Sequence, residues 1–306
     1  MLIIPRLTFH VSRYSLLTIH YSLSTCGDYW QYLNFLRLSA AFSFKFGYQT
    51  GIVGDQPMLK RERQAYILHQ VNLHNKVLST DLSSHINVSE DTIRRDLIEL
   101  AEAGKVIKVH GGALSPSFYH GNHSTKEIYS YQQKKTIASK AVTLIKNGMF
   151  VLSGGGTTII ELARSLPQQL QATLISGSIP VLFEYMNHPN IDVIVIGDKI
   201  AKNSKITVGS GAISQIKEIN ADLCFLGINA INIENGVSDN DWDVVQIKKA
   251  MIDSAEKVVC LTISEKINTR QPIQVCDLNK IDVLITELSP DDPILAPYRK
   301  AGIQVM

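Results

Sequence analysis

Val88-Ser89-Glu90-Asp91-Thr92-Ile93-Arg94-Arg95-Asp96-Leu97 decides what the N-terminal part of this 306-residue chain folds into. Ser89 is a helix N-cap residue type, because its hydroxyl can accept from a free N–H of the first turn. Glu90 and Asp91 follow where negative charge suits the helix dipole. Ile93, Leu97, Leu100 and Ala101 then make one apolar stripe, so a helix is expected from Glu90 to Ala103, with Gly104 placed for its C-terminal cap. Upstream, Asn87-Val88 reads as a turn and Thr80 to Ile86 as a short helix capped by Ser79, with Leu82 and Ile86 on one face. Arg61 to His74 has helical spacing of Ile67, Leu68 and Val71, and Asn72 to Lys76 is expected to break it. Downstream, Lys105-Val106-Ile107-Lys108-Val109-His110-Gly111-Gly112 alternates and reads as a β-wing.

Short helix, tight turn and longer helix describe a winged helix-turn-helix, with the last helix as the one that enters a major groove by its N-terminal half. Ser89, Thr92, Arg94 and Arg95 lie in that half, and Lys108 and His110 on the wing can reach the phosphate backbone. Arginine suits guanine edges and phosphates because its fork donates in pairs. A plainer account also exists. Glu90/Arg94 and Asp91/Arg95 are acid-before-base pairs four apart, which support any solvated helix. Residues 58–112 carry eight basic and seven acidic side chains, so bulk charge does not announce nucleic acid.

Composition divides the chain. Apolar residues make up 45% and charged residues 19%, enough for a core in each of two domains and wrong for a disordered chain. Of 22 aromatic residues, 11 fall in residues 1–57, which also supply the whole formal net charge of +2. That stretch lacks the basic start of a signal peptide, and Tyr32 to Phe46 is too short and too polar for a membrane span. It is expected to be an atypical extension, with Met58 the natural start. Cys26, Cys224, Cys260 and Cys276 show no CxxC spacing, so neither a disulfide framework nor a zinc site is expected, and reduced cytoplasmic residence is. No cofactor is expected.

Residues 114–133 read as a linker, and 134–306 as a second domain. In it, apolar strands (149–152, 173–176, 191–196, 223–228, 258–263 and 283–286, with 205–209 as a short addition) alternate with helices, one of them over 134–146. Continuous apolar strands between helices argue an α/β fold with a parallel sheet covered on both faces, and such sheets bind ligands beyond the carboxyl ends of their strands. There, Gly154-Gly155-Gly156-Thr157-Thr158 opens a helix with free N–H groups suited to an anion. A tight strand–helix turn would use the same glycines. Ser176-Gly177-Ser178 repeats the arrangement, Gly209-Ser210-Gly211 is a candidate for the same crevice, and Lys266 could neutralise the anion or be an exposed loop lysine.

The ordered motif Val88 to Leu97, Leu100, Gly104 and His110-Gly111-Gly112-Ala113, preceded by Arg61 to Ile67, closely resembles the deoxyribose-repressor (DeoR) family signature. Lys108 stands where that family usually has Arg. The second half resembles the DeoR sensor domain through Gly156-Thr157-Thr158, Glu161-Leu162-Ala163, Val208-Gly209, Ala221-Asp222-x-x-Phe225-Leu226-Gly227, Gly236, Lys248-Lys249-Ala250-Met251, Lys266 and Ile281-Asp282-x-Leu284-Ile285-Thr286. The resemblance implies a sensor similar to ribose-5-phosphate isomerase and glucosamine-6-phosphate deaminase folds, a phosphorylated sugar or related effector, and operator DNA as partner; an operator with repeated half-sites would want at least a dimer, so a homo-oligomer is expected. Gly154, Gly177-Ser178, Gly197-Asp198 and Ile263 depart from the family pattern and leave the effector open.

The leading expectation is therefore a sequence-specific transcription regulator, a repressor of sugar or carbon-metabolism genes. One rival is a sugar-phosphate isomerase or deaminase with a DNA-binding head. It would need a positioned base, and at the strand ends only Asp198 and Asp239-Asn240-Asp241 offer carboxylates, without a paired constellation. The other is a regulator with a degenerate sensor.

Overall fold

The computed structural model describes residues 58–116 and 128–306. The composition break before Met58, the extension 1–57 with Cys26, and the middle of the stretch read as a linker lie outside the described residues. The described residues belong to one compact unit.

The head begins with α1 (Lys60–His74), then β1 (Lys76–Leu78), α2 (Ser79–Ile86), α3 (Glu90–Glu102), β2 (Ile107–Val109) and β3 (Gly112–Leu114). Helix α1 runs through Asn72 and Leu73 and stops only at Asn75, which takes a left-handed conformation. Ser79 is the first helical residue of α2 rather than its cap, which is Leu78 with no side-chain cap bond. Ser89 does cap α3, its Oγ accepting from Thr92 N at 3.2 Å. Gly104 follows with φ +68°. The wing has three antiparallel strands in the order β1-β3-β2 rather than one hairpin. Gly112 is the central crossing point of that sheet, since a Cβ there would lie 2.0 Å from the Val77 carbonyl oxygen. Ile67, Val71, Leu82, Ile93, Leu97, Leu100 and Val106 form the head's core.

The second half carries α4 (Tyr131–Val142), β4 (Phe150–Ser153), α5 (Thr157–Arg164), β5 (Thr173–Ser176), α6 (Ile179–Met186) and β6 (Asp192–Val195). A hairpin β7 (Lys199–Ala201) and β8 (Ile206–Val208), α7 (Ser210–Lys217), β9 (Ala221–Gly227), β10 (Ala230–Asn232), β11 (Gly236–Asp239) and α8 (Trp242–Asp253) follow. β12 (Ala255–Leu261), β13 (Ile273–Cys276), β14 (Val283–Ile285), α9 (Ala296–Lys300) and β15 (Gln304–Val305) close the chain. Leu114 thus ends β3 and Tyr131 to Gln133 start α4, both inside the stretch read as linker. Residues 206–208 pair with β7 outside the main sheet.

The main sheet has seven strands in the order β15-β14-β12-β9-β4-β5-β6, every pairing parallel. Alternate residues feed opposite faces. Val151, Leu223, Phe225 and Val259 pack with Ile137, Ile159 and Leu162 on one face. Leu152, Cys224, Leu226 and Cys260 pack with Ala212, Val245 and Met251 on the other. Cys224 and Cys260 are therefore small buried hydrophobes, and both are free thiols. The antiparallel sheet β10-β11-β13, absent from the alternation pattern, stands beside the main one.

Candidate functional site

The chain winds from β4 outward through β5 and β6, returns, and winds the other way from β9 through β12 and β14. The crevice between β4 and β9 is the topological switch point, where an open parallel sheet leaves room for a ligand. The two loops there touch closely. Gly154 N donates to Phe225 O at 2.9 Å, and a Cβ on Gly227 would lie 2.9 Å from the Gly155 carbonyl oxygen. Gly156, at φ +106°, then turns the chain into α5.

A cavity of about 110 Å³ opens at this point. Gly154, Gly155, Gly156, Thr157, Thr158 and Lys266 all line it. Ser176, Gly177 and Ser178 do not. Ser176 Oγ donates to Ser153 O at 2.9 Å and accepts from Ser178 N at 3.1 Å, while Gly177 O accepts from Thr207 N. These groups fasten β5 to β4 and to the β7–β8 hairpin. Gly209 and Gly211 are likewise turned to Asp198, whose Oδ2 accepts from Gly211 N at 2.8 Å.

Three lysines absent from an ordinary surface reading, or left ambiguous by it, define the cavity's electrostatics. Lys134, Lys248 and Lys266 line it and are all buried. Lys248 Nζ donates to Asp239 Oδ2 at 2.6 Å and to Gly227 O at 2.8 Å. Asp239 also accepts from Asn229 Nδ2 and from Asn240 N. Burial alone would raise its pKa, but the Lys248 ammonium and these donors outweigh that and hold the carboxyl below its usual range. Lys266 Nζ reaches only carbonyl-type oxygens, Ile228 O at 3.2 Å and Asn229 Oδ1 at 3.4 Å. Burial, reinforced by repulsion from Lys134 and Lys248, lowers it to about 7. Burial lowers Lys134 to about 8, with Glu161 and Glu265 opposing the shift. Lys266 is no exposed loop lysine. Lys134 Nζ likewise donates to a neutral oxygen, Tyr129 O at 2.6 Å, so both buried lysines are hydrogen-bonded to neutral groups in a setting that suits an anion.

Lys134 and Lys248 carried a signal. Lys134 falls on the stripe of Ile137, Ala138 and Ala141 in α4, and Lys248 on that of Val244 and Met251 in α8. A charge on the apolar face of a helix is buried when the helix packs, and then needs a counter-charge or a ligand. Asp239 was visible only as one of several strand-end carboxylates.

The candidate DNA-reading face is built differently. Arg94, Arg95, Lys108 and His110 are exposed. Arg95 pairs with Asp91 at 2.7 Å, the helix-supporting pair expected of its spacing. Ser89 and Thr92 bond each other through their hydroxyls at 2.9 Å, so Ser89 is engaged in the cap. Asp96, inside the same motif, points inward. It is 1% exposed and accepts from Arg63 Nε and Gln64 Nε2 of α1, clamping α3 to that helix. No group of three or more His, Cys, Asp or Glu side chains among the described residues is placed to hold a metal, and none of their helices is long and apolar enough to cross a membrane.

The sequence pattern described as the DeoR-like helix-turn-helix domain matches residues 63–118, and that of the DeoR C terminal sensor domain matches 129–288. The chain belongs to the DeoR family of transcriptional regulators. This DeoR-family chain is 32% identical over 252 residues to the "HTH-type transcriptional regulator GlpR" of Haloferax volcanii, covering 81% of itself and 98% of that protein. It is 30% identical to the "HTH-type transcriptional regulator GolR" of Listeria innocua, again over 81% and 98%. The "Glycerol-3-phosphate regulon repressor" of Escherichia coli is 25% identical over 81% and 99%. Among solved structures, ribose 5-phosphate isomerase A of Methanocaldococcus jannaschii aligns with 47% of the chain and 55% of its own, at 20% identity and a TM-score of 0.34, a similarity too weak to bear on function. Membership of a regulator family sets the isomerase or deaminase reading aside.

Proposed function

We propose that this DeoR-family regulator represses genes of sugar or other carbon metabolism from operator DNA in the cytoplasm, and that a phosphorylated sugar or related metabolite controls its operator affinity. The observation that carries the effector class is the cavity: buried Lys134 and Lys266 stand opposite the Gly154–Thr158 loop at the amino end of α5. Backbone N–H groups and threonine hydroxyls suit phosphate oxygens, and the ammoniums supply the charge. The repressor role draws support from the glycerol-3-phosphate regulon repressor among its relatives. In this reading Thr92, Arg94 and Arg95 meet the major groove, Ser89 sets the helix start, and Lys108 and His110 hold phosphates. An operator with repeated half-sites would call for a homo-oligomer of at least two chains.

The test is fluorescence anisotropy of DNA from upstream of the chain's own gene and its neighbours, with and without glycerol 3-phosphate, ribose 5-phosphate and glucose 6-phosphate. Specific binding relieved by one of them is expected. Binding no tighter than to random duplex at the same salt would overturn the regulator assignment, and binding indifferent to every phosphate would overturn the effector class.

A further inference from the structure

The cavity at the β4/β9 switch point is not walled by the sensor alone. His74, Asn75, Lys76 and Leu114, all from the DNA-binding head, line it together with the Gly154–Thr158 loop and Lys266. Four consecutive head residues make the seam. Leu73, the penultimate residue of α1, is buried in the sensor's hydrophobic cluster with Ile137 and Ile159. The His74 ring, 8% exposed, stands 3.4 Å from Gln271 Nε2. Asn75 makes the left-handed turn, and Lys76 O accepts from Asn240 Nδ2 at 3.2 Å. Farther out, Tyr129 OH donates to Glu265 Oε2 at 2.6 Å and lies 3.3 Å from His69 of α1.

The opposite end of α1 holds the DNA-reading helix. Lys60 pairs with Glu99 at 2.6 Å, Gln64 donates to the same carboxylate at 2.8 Å, and Arg63 pairs with Asp96. A 15-residue helix is rigid over roughly 20 Å at 1.5 Å per residue. One straight element therefore has its C-terminal turn in the cavity wall and its N-terminal turns locked to α3.

We propose that the effector site is composite, with His74 and Lys76 of the DNA-binding head serving as ligand-contact residues that tie the occupant of the cavity to the position of α1 and hence of α3. This rests on the effector reading above. The groups around the cavity suit it. Lys134, Lys248, Lys266 and Lys76 face Asp239 and Asp241 around the cavity, an excess of positive charge for an anion. The His74 imidazole is kept neutral by burial and by Lys266 and His69 beside it; its one N–H is held by the Asn229 backbone, which leaves the other ring nitrogen as an acceptor suited to a sugar hydroxyl. Because an occupant would touch head and sensor together, any change in head position alters its contacts. That differential affinity is what lets a ligand shift an equilibrium.

The experiment uses the full chain. Inorganic phosphate, glycerol 3-phosphate, ribose 5-phosphate and glucose 6-phosphate are screened by thermal shift, and the strongest is titrated by calorimetry against wild type, His74→Ala, His74→Gln, Lys76→Gln and Glu102→Gln. His74→Ala and Lys76→Gln are expected to weaken it about fivefold or more, as lost hydrogen bonds to charged or polar ligand groups do. Glu102→Gln, an exposed head position outside the cavity lining, is expected to bind like wild type. The ring nitrogens of His74, followed by NMR in the wild-type protein, are expected to shift on saturation, a readout independent of whether a variant folds. Wild-type affinity in folded His74 and Lys76 variants, or unmoved ring resonances, would overturn the composite site while leaving the phosphate reading standing. Failure of every phosphate to bind wild type would take down the effector reading and this inference with it.

Discussion

Lys248 Nζ lies 2.6 Å from Asp239 Oδ2, with both side chains under one-tenth exposed, at the junction of α8 and β11 beside the cavity. Removing one partner of such a pair leaves a buried charge without compensation. Asp239→Ala is expected to cost about 3–5 kcal/mol in urea unfolding. A loss under about 1 kcal/mol, the size found for exposed pairs, would mean the pair is solvated in solution.

Cap and reader should separate cleanly on α3. Ser89→Ala removes the acceptor for Thr92 N and is expected to lower stability by about 1 kcal/mol. Arg94→Ala, at an exposed position, is expected to stay within about 0.5 kcal/mol of wild type in stability. It should nonetheless weaken operator binding, and lower the salt slope by about 1 if Arg94 contacts a phosphate. Denaturant melts beside anisotropy at several salt concentrations would show both. Unchanged operator affinity for Arg94→Ala at fixed salt would contradict its assigned role.

Lys266 and Lys134 make the cavity pH-dependent. Their lowered values, about 7 and about 8, arise mainly from burial, and Lys134, Lys248, Asp239 and Glu265 face Lys266. An unfolded lysine titrates near 10.4. The unfolded chain therefore binds more protons above pH 7, and the ligand-free protein should gain stability as pH rises from about 7 toward 10. An anion favours the charged ammoniums, so its affinity should fall over the same rise and its binding should take up protons. Calorimetry of one phosphate ester in buffers of different ionisation enthalpy, from pH 7 to 9, measures the uptake. An affinity that rises with pH in that window would reverse the argument.

Gly227 permits the close approach of the two loops that line the cavity at the β4/β9 switch point. Gly227→Ala would place a Cβ 2.9 Å from a backbone oxygen that cannot swing away. A loss of about 1–3 kcal/mol is expected, together with loss of phosphate-ester binding by calorimetry. Wild-type behaviour in both would show that the loops stand farther apart.

The local pattern carried much of this molecule. Ser89 with its acidic first turn and the stripe of Ile93, Leu97 and Leu100 determined the third helix of the head, because caps and periodicity act within a few residues. The apolar strands likewise determined an α/β domain with a parallel sheet, and the Gly154–Thr158 loop lines the cavity beyond its strand ends. What lay beyond the sequence was long-range pairing. Ser176-Gly177-Ser178 has the composition of an anion loop, yet its groups are consumed in tying β5 to its neighbours. Packing of α1 against α3 buries Asp96 on Arg63 and Gln64, partners more than 30 positions away that no local pattern links to it. Above all, no local pattern could bring His74 and Lys76 against Lys266. Which side chains share a cavity depends on how the head docks on the sensor, and that docking is set by the burial of Leu73 in the sensor's cluster and by the bond of Asn240 to Lys76 O, 164 positions apart, which only the folded chain brings together.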